Sequence, residues 1–174
     1  MHVRFLAPDL PHLDALRCEA IALPYFADER PLRGALGLAD WRLCGLLSRM
    51  LGSGRLTGEP LETVLVPARP KLAVEKLFMF GLGARAALDD AGRTRAQQHM
   101  LDTLALARVR TTALVLPGRS APGVSASDAF ETFVRAALHR DDHDELIVLE
   151  PHAAQREMEP VLERERRRAR AELI

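Results

Sequence analysis

The sequence has few lysines and no excess of charge of either sign. Lys71 and Lys76 are the only lysines, so almost all of the positive charge is carried by arginine. Lysine and arginine together number 24, aspartate and glutamate also number 24, and the formal net charge is +0. A neutral chain has no overall attraction to nucleic acid or to acidic lipids. We therefore expect neither a nucleic-acid partner nor a membrane partner.

Cysteine and long apolar runs are also scarce. Cys18 and Cys44 are too few for a disulfide framework or a metal cluster, and their apolar neighbours predict reduced, buried thiols. No apolar run approaches the ~20 residues of a membrane-spanning helix. The N-terminal stretch alternates apolar residues with Pro, Asp, His and Arg, unlike a signal peptide. We expect a cytoplasmic protein with no metal and no cofactor.

Short apolar runs that end at proline or glycine predict the strands. They are residues 3–6, 19–23, 63–66, 77–80, 112–116 and 146–149. Helical patterns lie between them, and 174 residues fit one domain. Alternating strands and helices predict an α/β fold, with a mixed, mostly parallel sheet of about six strands between two helical layers. The expected division is a domain over residues 1–152 and a charged helical tail over residues 153–174.

Four helical segments carry distinct signals. One apolar stripe over residues 39–50 predicts a single long helix, and a second stripe follows Gly92. Ser125 and Asp128 resemble a capping box ahead of the clearest amphipathic face in the chain. The tail is helical in propensity and very highly charged, and Pro160 is expected to interrupt it.

The loop that leads into the first long helix holds most of the candidate binding residues. Arg30, Arg33 and Arg42 lie close in sequence to Asp28 and Asp40. In an open α/β sheet, ligands bind beside such strand-to-helix loops. The arginines are therefore candidates for an anion site, and the alternative is an ion-pair network that organises the loop.

A second loop follows the fourth predicted strand. Gly81 and Gly83 would let the backbone approach a phosphate, with Arg85 supplying charge. The alternative is a tight turn that requires glycine for its φ angles. Together with the first loop, these residues define a predicted loop mouth after strands 2 and 4.

Three further features have a functional and a structural interpretation. Residues 139–145 combine histidine and carboxylates, which suits a metal, although a solvated loop is the favoured interpretation. Trp41, the only tryptophan, falls off the apolar stripe and is either a partner contact or part of a packed helix. The arginines of the tail alternate with glutamates, which is typical of a solvated helix with internal ion pairs, and nucleic-acid binding is the less favoured alternative.

Residues 28–54, together with the run Phe80-Gly81-Leu82-Gly83, resemble the N-terminal domain of the leucine aminopeptidase family. The resemblance covers about residues 3–150. That family joins a macro-like α/β/α N-terminal domain to a C-terminal two-metal peptidase domain. The metal ligands, the activating lysine and the Asn-Thr-Asp-Ala-Glu-Gly-Arg signature of the second domain do not occur in this sequence. The resemblance therefore implies a macro-like fold without peptidase activity.

The macro-like resemblance also implies where a ligand would bind. Macro domains that bind ADP-ribose carry an Asn-rich and Gly-rich loop after an early strand, where this sequence has Asp28, Glu29 and Arg30. Our leading hypothesis is a non-catalytic module that binds a protein partner or self-associates. The alternative is a sensor that binds a nucleotide or other small anion at the loop mouth. Hydrolysis of ADP-ribose-type esters ranks last, and we assign no catalytic residue.

Overall fold

A computed structural model describes residues 1–172 and shows one six-stranded sheet with helices on both faces. The strands are β1 (His2–Leu6), β2 (Ala20–Tyr25), β3 (Thr63–Pro67), β4 (Lys76–Gly81), β5 (Thr111–Leu114) and β6 (Glu145–Leu149). The helices are α1 (Leu10–Asp14), α2 (Gly34–Arg42), α3 (Leu46–Gly52), α4 (Asp90–Leu106), α5 (Ala126–Leu138) and α6 (His152–Ala171). A short 3-10 turn covers Arg85–Ala87.

The strand order across the sheet is β1-β6-β5-β2-β4-β3. Every neighbouring pair is parallel except β3 and β4, which are antiparallel and place β3 at one edge. The predicted mixed, mostly parallel sheet is confirmed. Because β2, β4 and β5 are adjacent and parallel, their carboxyl ends meet at one edge, where the loops of interest begin.

Alternation along the strands divides the core into two layers. In β2, Ala20 and Ala22 pack with α4, α5 and α6, whereas Ile21 and Leu23 pack with α1, α2 and α3. Successive side chains of a strand point to opposite faces, so a strand that is buried on both faces is apolar throughout. The three-layer α/β/α arrangement predicted from the sequence is confirmed.

The predicted long helix over residues 39–50 is wrong, because the chain breaks it into α2 and α3. Cys44 and Gly45 both adopt left-handed backbone conformations, with φ values of 58° and 76°. Such a conformation is costly for a non-glycine residue, so the break needs support from its surroundings. That support comes from Asp40, which is buried and accepts hydrogen bonds from the first turn of α3.

The predicted interruption of the tail at Pro160 is also wrong, since α6 runs through it without a break. Pro160 is exposed, so water can bind the carbonyl that loses its helical partner. The apolar side of α6 packs into the same core as α5 through Ala154, Met158, Val161 and Leu162. Within residues 1–172, no helix is long and apolar enough to cross a membrane.

Candidate functional site

The loops at the carboxyl ends of β2, β4 and β5 surround a cleft of about 590 Å³, called here the strand-end cleft. Its walls come from the end of β2 and the loop after it (within residues 23–36), from residues 82 and 85 after β4, and from the loop after β5 (within residues 115–120). Open α/β sheets bind ligands at this edge, and pockets of several hundred Å³ are large enough for a small molecule. Four of the predicted site residues line it, namely Asp28, Arg30, Arg33 and Arg85.

Arg85 connects the three loops of the cleft. Its backbone N–H donates to Asp28 Oδ1 at 3.0 Å, and its Nη1 donates to the carbonyl oxygen of Ser120 at 2.7 Å. The guanidinium lies over the buried ring of Phe26, with Cζ 4.1 Å from the ring centroid. Glu29 Oε2 is 3.7 Å from Nη2. The side chain is held on one side and still 32% exposed, so its other face is available to the cleft.

The N-terminus of α2 opens into the same cleft without a side-chain cap. Arg33 occupies the N-cap position, and no side chain there accepts from the first turn. The N–H of Gly37 donates to the carbonyl oxygen of Arg33, so the amides of Gly34, Ala35 and Leu36 precede the intrahelical ladder. These amides and the helix dipole favour a negatively charged group. Gly34 also has a φ of 57° with open space where a Cβ would stand.

Arg30 and Arg33 give the cleft positive charge that is not consumed by ion pairs. Both side chains are exposed, and neither forms an ion pair with a carboxylate within the described residues. Arg30 Nη1 donates to the carbonyl oxygen of Glu29 at 2.8 Å. The carboxylate of Glu29 instead turns inward, where it accepts from the N–H of Phe26 at 3.3 Å. The predicted ion-pair network is therefore absent around Arg30 and Arg33 in the part of the chain that the structure describes.

Gly81 and Gly83 do not line the strand-end cleft. They border a neighbouring hollow of about 390 Å³ between residues 59–61 and the start of α4. A Cβ at Gly81 would lie 2.1 Å from the carbonyl oxygen of Glu59. Gly83 has a φ of 78°, and its N–H donates to the carbonyl oxygen of Gly58 at 2.7 Å. The positive φ of Gly83 agrees with the tight-turn alternative, whereas Gly81 is required by close packing against Glu59, which that alternative did not include.

The loop that packs on these glycines is held by a partly buried polar contact. Glu62 accepts hydrogen bonds from the Tyr25 hydroxyl and from the N–H of Gly58. Burial and the bond to Glu62 raise the pKa of Tyr25 above its ordinary value. Burial acts to raise the pKa of Glu62, but the hydrogen bonds outweigh it and the pKa is lowered. This side of the loop mouth is therefore occupied by internal contacts.

Asp40 and Arg42 are also turned away from the cleft. Asp40 Oδ1 accepts from the N–H groups of Leu47 and Ser48 at 2.8 and 3.2 Å, which caps α3. Arg42 Nε donates to Asp14 Oδ1 at 2.8 Å and so links α2 to α1. The structure does not bring these two residues together with Arg30, Arg33 and Arg85.

Several cleft residues were not predicted from the sequence. Phe26 supplies the ring beneath Arg85, and Gly118 and Ser120 form the wall that follows β5. The sequence signal for that wall was the pair Pro117-Gly118, which we interpreted only as the end of a strand. The loop after β5 lies at the cleft because β5 is next to β2 in the sheet, and the sequence does not show this order of strands.

Residues 139–145, the other candidate region, form an ion-paired turn. Arg110 pairs with Asp144, and Arg140 pairs with Asp102. His143 is only 2% exposed, so the expectation of a fully solvated loop is wrong at this residue. Within residues 1–172, no group of three or more His, Cys, Asp or Glu side chains is arranged to hold a metal.

Both cysteines are less buried than the sequence predicts. Cys18 is half-buried, and burial raises the pKa of its thiol to about 11. Cys44 is exposed, so the predicted burial is wrong there. The reason is the helix break, which turns Cys44 outward at the junction of α2 and α3.

Solved structures with this fold place the protein in a class. A Trypanosoma brucei macrodomain in complex with ADP aligns over 92% of this chain and 69% of its own, with a TM-score of 0.72 at 13% identity. The macrodomain of Mycobacterium tuberculosis DarG aligns over 86% of this chain and 98% of its own, with a TM-score of 0.65 at 14% identity. The three-layer α/β/α fold is thus that of a macro-like domain.

The sequence also matches a family. The profile of the cytosol aminopeptidase family, N-terminal domain, matches residues 22–145, and the chain therefore belongs to this family. A tomato leucine aminopeptidase mutant aligns over 92% of this chain with a TM-score of 0.61 at 15% identity, and the chain spans 35% of its length. No curated protein sequence matches. The family resemblance stated from the sequence is confirmed.

Proposed function

We propose that the protein binds a small anionic ligand of the nucleotide class in the strand-end cleft. The proposal rests on one observation, which is that three features suited to an anion lie in the same place. A cleft of about 590 Å³ is faced by a helix N-terminus without a side-chain cap, by two arginines that form no ion pair within residues 1–172, and by a third arginine anchored on a ring. Amide groups and guanidinium groups are the donors that bind phosphate oxygens most strongly.

A nucleotide fits this arrangement better than a bare anion does. Guanidinium planes stack on nucleobases as well as on aromatic rings. Arg85 is stacked on Phe26 on one side and partly exposed on the other, so a planar base can lie against it while phosphates reach Arg33 and α2. One neighbour in fold is a macrodomain solved in complex with ADP, and this supports the choice of ADP as a first ligand.

We propose binding without catalysis. The family match covers the N-terminal domain, whereas peptidase chemistry requires convergent metal ligands that were not found among the described residues. Ester hydrolysis on an ADP-ribose-type ligand would need a group that activates water, and the contacts around Asp28 and Glu29 assign them to the loop backbone. The expectation of a cytoplasmic location stays a prediction.

The test is a calorimetric titration with ADP, adenosine and inorganic pyrophosphate. We expect ADP to bind more tightly than adenosine or pyrophosphate, because it engages both the stacking surface and the anion donors. Arg33→Ala should weaken ADP binding roughly tenfold, which corresponds to the loss of one charge-assisted contact.

Arg55→Ala is the matched control, since Arg55 is an exposed arginine outside the cleft. Its affinity for ADP should equal that of the unmodified protein. A ligand present at 100 times its dissociation constant should also raise the unfolding free energy by about 2.7 kcal/mol. Equal affinities in Arg33→Ala and Arg55→Ala, or no binding of any of the three ligands, would contradict the proposal.

The sequence favoured binding of a protein partner or self-association as the main role. The strand-end cleft adds nothing to that hypothesis, because its exposed donors suit an anion and its apolar residues are mostly buried. Partner binding therefore stays a prediction, and the surface that would serve it lies elsewhere on the molecule.

A further inference from the structure

The junction between α2 and α3 is a rigid, outward-facing elbow. The N–H of Cys44 donates to the carbonyl oxygen of Trp41 at 3.0 Å, and the N–H of Gly45 donates to that of Asp40 at 2.8 Å. The buried Asp40 carboxylate then caps α3 through Leu47. These bonds hold the left-handed conformation of Cys44 in place, so the surface around it is preorganised.

The elbow presents a large aromatic side chain to solvent. Trp41 is 62% exposed, and the Arg42 guanidinium lies 4.7 Å from its ring centroid. Arg42 is itself paired with Asp14, which limits its movement. A hollow of about 690 Å³ borders the ring and continues past Cys44. Tryptophan and arginine are the residue types most enriched among the contacts that dominate protein interfaces.

Two further cations contact Cys44, which borders the same hollow as Trp41. Arg49 Nη1 donates to the carbonyl oxygen of Cys44 at 2.7 Å, and Lys71 Nζ donates to its Sγ at 3.7 Å. Neither side chain forms an ion pair with a carboxylate in the described part of the chain, whereas Arg42 beside them does. The patch formed by Trp41, Cys44, Arg49 and Lys71, called here the elbow surface, therefore combines an exposed ring with uncompensated positive charge.

We propose that the elbow surface docks an acidic segment of a partner protein. Carboxylates of the segment pair with Arg49 and Lys71, and an apolar side chain between them packs against the Trp41 ring. Charge complementarity selects the partner, because two free cations beside a ring match two carboxylates flanking an apolar residue. Nucleic acid is a poorer match, since only two free cations would contact phosphates and the chain has a net charge of +0. The proposal is independent of ligand binding in the strand-end cleft.

The test uses the emission of Trp41, which is the only tryptophan and so reports on this surface alone. The probe is a short synthetic peptide in which glutamates flank leucines, and its counterpart replaces every glutamate with lysine. We expect the acidic peptide to shift the emission to shorter wavelength in a saturable way, and the basic peptide to leave it unchanged. Added salt should weaken the effect, because the contacts are exposed ion pairs.

Three variants locate the contact. Lys71→Glu reverses one charge without touching the main chain and should weaken peptide binding at least roughly tenfold. Arg49→Ala should weaken it by a similar factor, with circular dichroism confirming that α3 remains folded. Arg55→Ala should bind the acidic peptide normally. Arg33→Ala should do so too, which separates this proposal from ligand binding in the strand-end cleft.

Four results would overturn the proposal. One is the absence of any emission shift up to about 1 mM acidic peptide, the limit of weak association. The second is an equal shift with the basic peptide, and the third is unchanged binding by Lys71→Glu. The fourth is an emission shift that the acidic peptide does not cause but that appears when the protein concentration is raised or single-stranded DNA is added. The first of these would assign the surface to self-association, and the second would assign it to nucleic acid.

Discussion

The strand-end cleft and the face between α5 and α6 are both rich in arginine, but they use it in different ways. On the α5–α6 face, Arg135 and Arg164 both pair with the buried Glu165, and both also pair with Glu131. In the cleft, Arg30 and Arg33 form no ion pair within the described residues. Arginine content alone therefore does not distinguish a structural face from a binding site. The two regions differ in whether their arginines already form ion pairs with carboxylates of the described residues.

A similar contrast exists within the loop and helix that follow β2. Asp40 lies seven positions after Arg33, yet its carboxylate is buried and fully used by α3. Arg33 is exposed at the start of α2, and its side chain forms no ion pair or cap among the residues that the structure describes. The same segment thus contains a residue that stabilises the fold and a residue that we propose binds the ligand, and substitutions should separate the two roles.

The largest expected effect on stability is that of Asp40→Ala. It removes the cap of α3 and leaves the N–H groups of Leu47 and Ser48 without their acceptor. The unfolding free energy measured in urea should fall by about 2 kcal/mol, while ADP affinity stays unchanged. Glu157→Ala, at an exposed carboxylate of α6, should leave both quantities unchanged. An Asp40→Ala protein of normal stability that fails to bind ADP would reverse the assignment.

A smaller loss is expected for Glu165→Gln. The carboxylate is 3% exposed and accepts from Arg135 Nε at 3.1 Å, and this bond lowers the pKa of Glu165. Its partners are partly solvated, so the loss of unfolding free energy should be about 1 kcal/mol. Glu163→Gln in the same helix is the matched control, because Glu163 is 60% exposed. This substitution should lower the unfolding free energy by only about 0.3 kcal/mol. Equal losses for the two variants would show that the α5–α6 pairs contribute no more than surface pairs.

The smallest effect at neutral pH is that of His143, which is buried ahead of β6 and makes stability depend on pH. Burial lowers the pKa of His143, and its Nδ1 lies 3.2 Å from the carbonyl oxygen of Val109. The unfolded chain therefore binds a proton more readily than the folded one, and stability falls as the pH drops below about 6.5. Because one proton is involved, the unfolding free energy changes by at most about 1.4 kcal/mol per pH unit.

His143→Gln should flatten this dependence between about pH 7 and 5, a range above the usual titration of carboxylates. The measurement is urea unfolding at a series of pH values. His2→Gln is the control, because His2 is exposed at the start of β1. A variant at His143 that keeps the full slope would assign the acid sensitivity to other groups.

Much of the fold could be predicted from apolar periodicity. All six strands were found, because runs such as residues 77–80 and 146–149 are apolar on both faces and end at turn residues. The break between α2 and α3 was missed, because Cys44 has no intrinsic preference for a left-handed conformation and its stabilisation comes from tertiary contacts of Asp40. The continuity of α6 was missed because propensity does not show that Pro160 faces water.

The site was predicted less completely than the fold. Asp28, Arg30, Arg33 and Arg85 line the strand-end cleft because they lie in the loops after the second and fourth predicted strands, and their role in binding stays a prediction. The wall after β5 was not, since it depends on the order of strands in the sheet, which periodicity does not give. Gly81 has a packing role that only the position of Glu59 reveals. Contacts between residues far apart in sequence were the part that the sequence alone could not supply.

The most direct test of the central claim is a nuclear magnetic resonance titration of the labelled protein with ADP. If the strand-end cleft binds ADP and the ion-paired α5–α6 face does not, the largest changes in amide chemical shift should occur at Gly34, Ala35 and Leu36. Further changes are expected at Arg85. The amides around Glu165 should remain unchanged. Shifts confined to other parts of the molecule, or no shifts at saturating ADP, would contradict the assignment of the strand-end cleft as a nucleotide site.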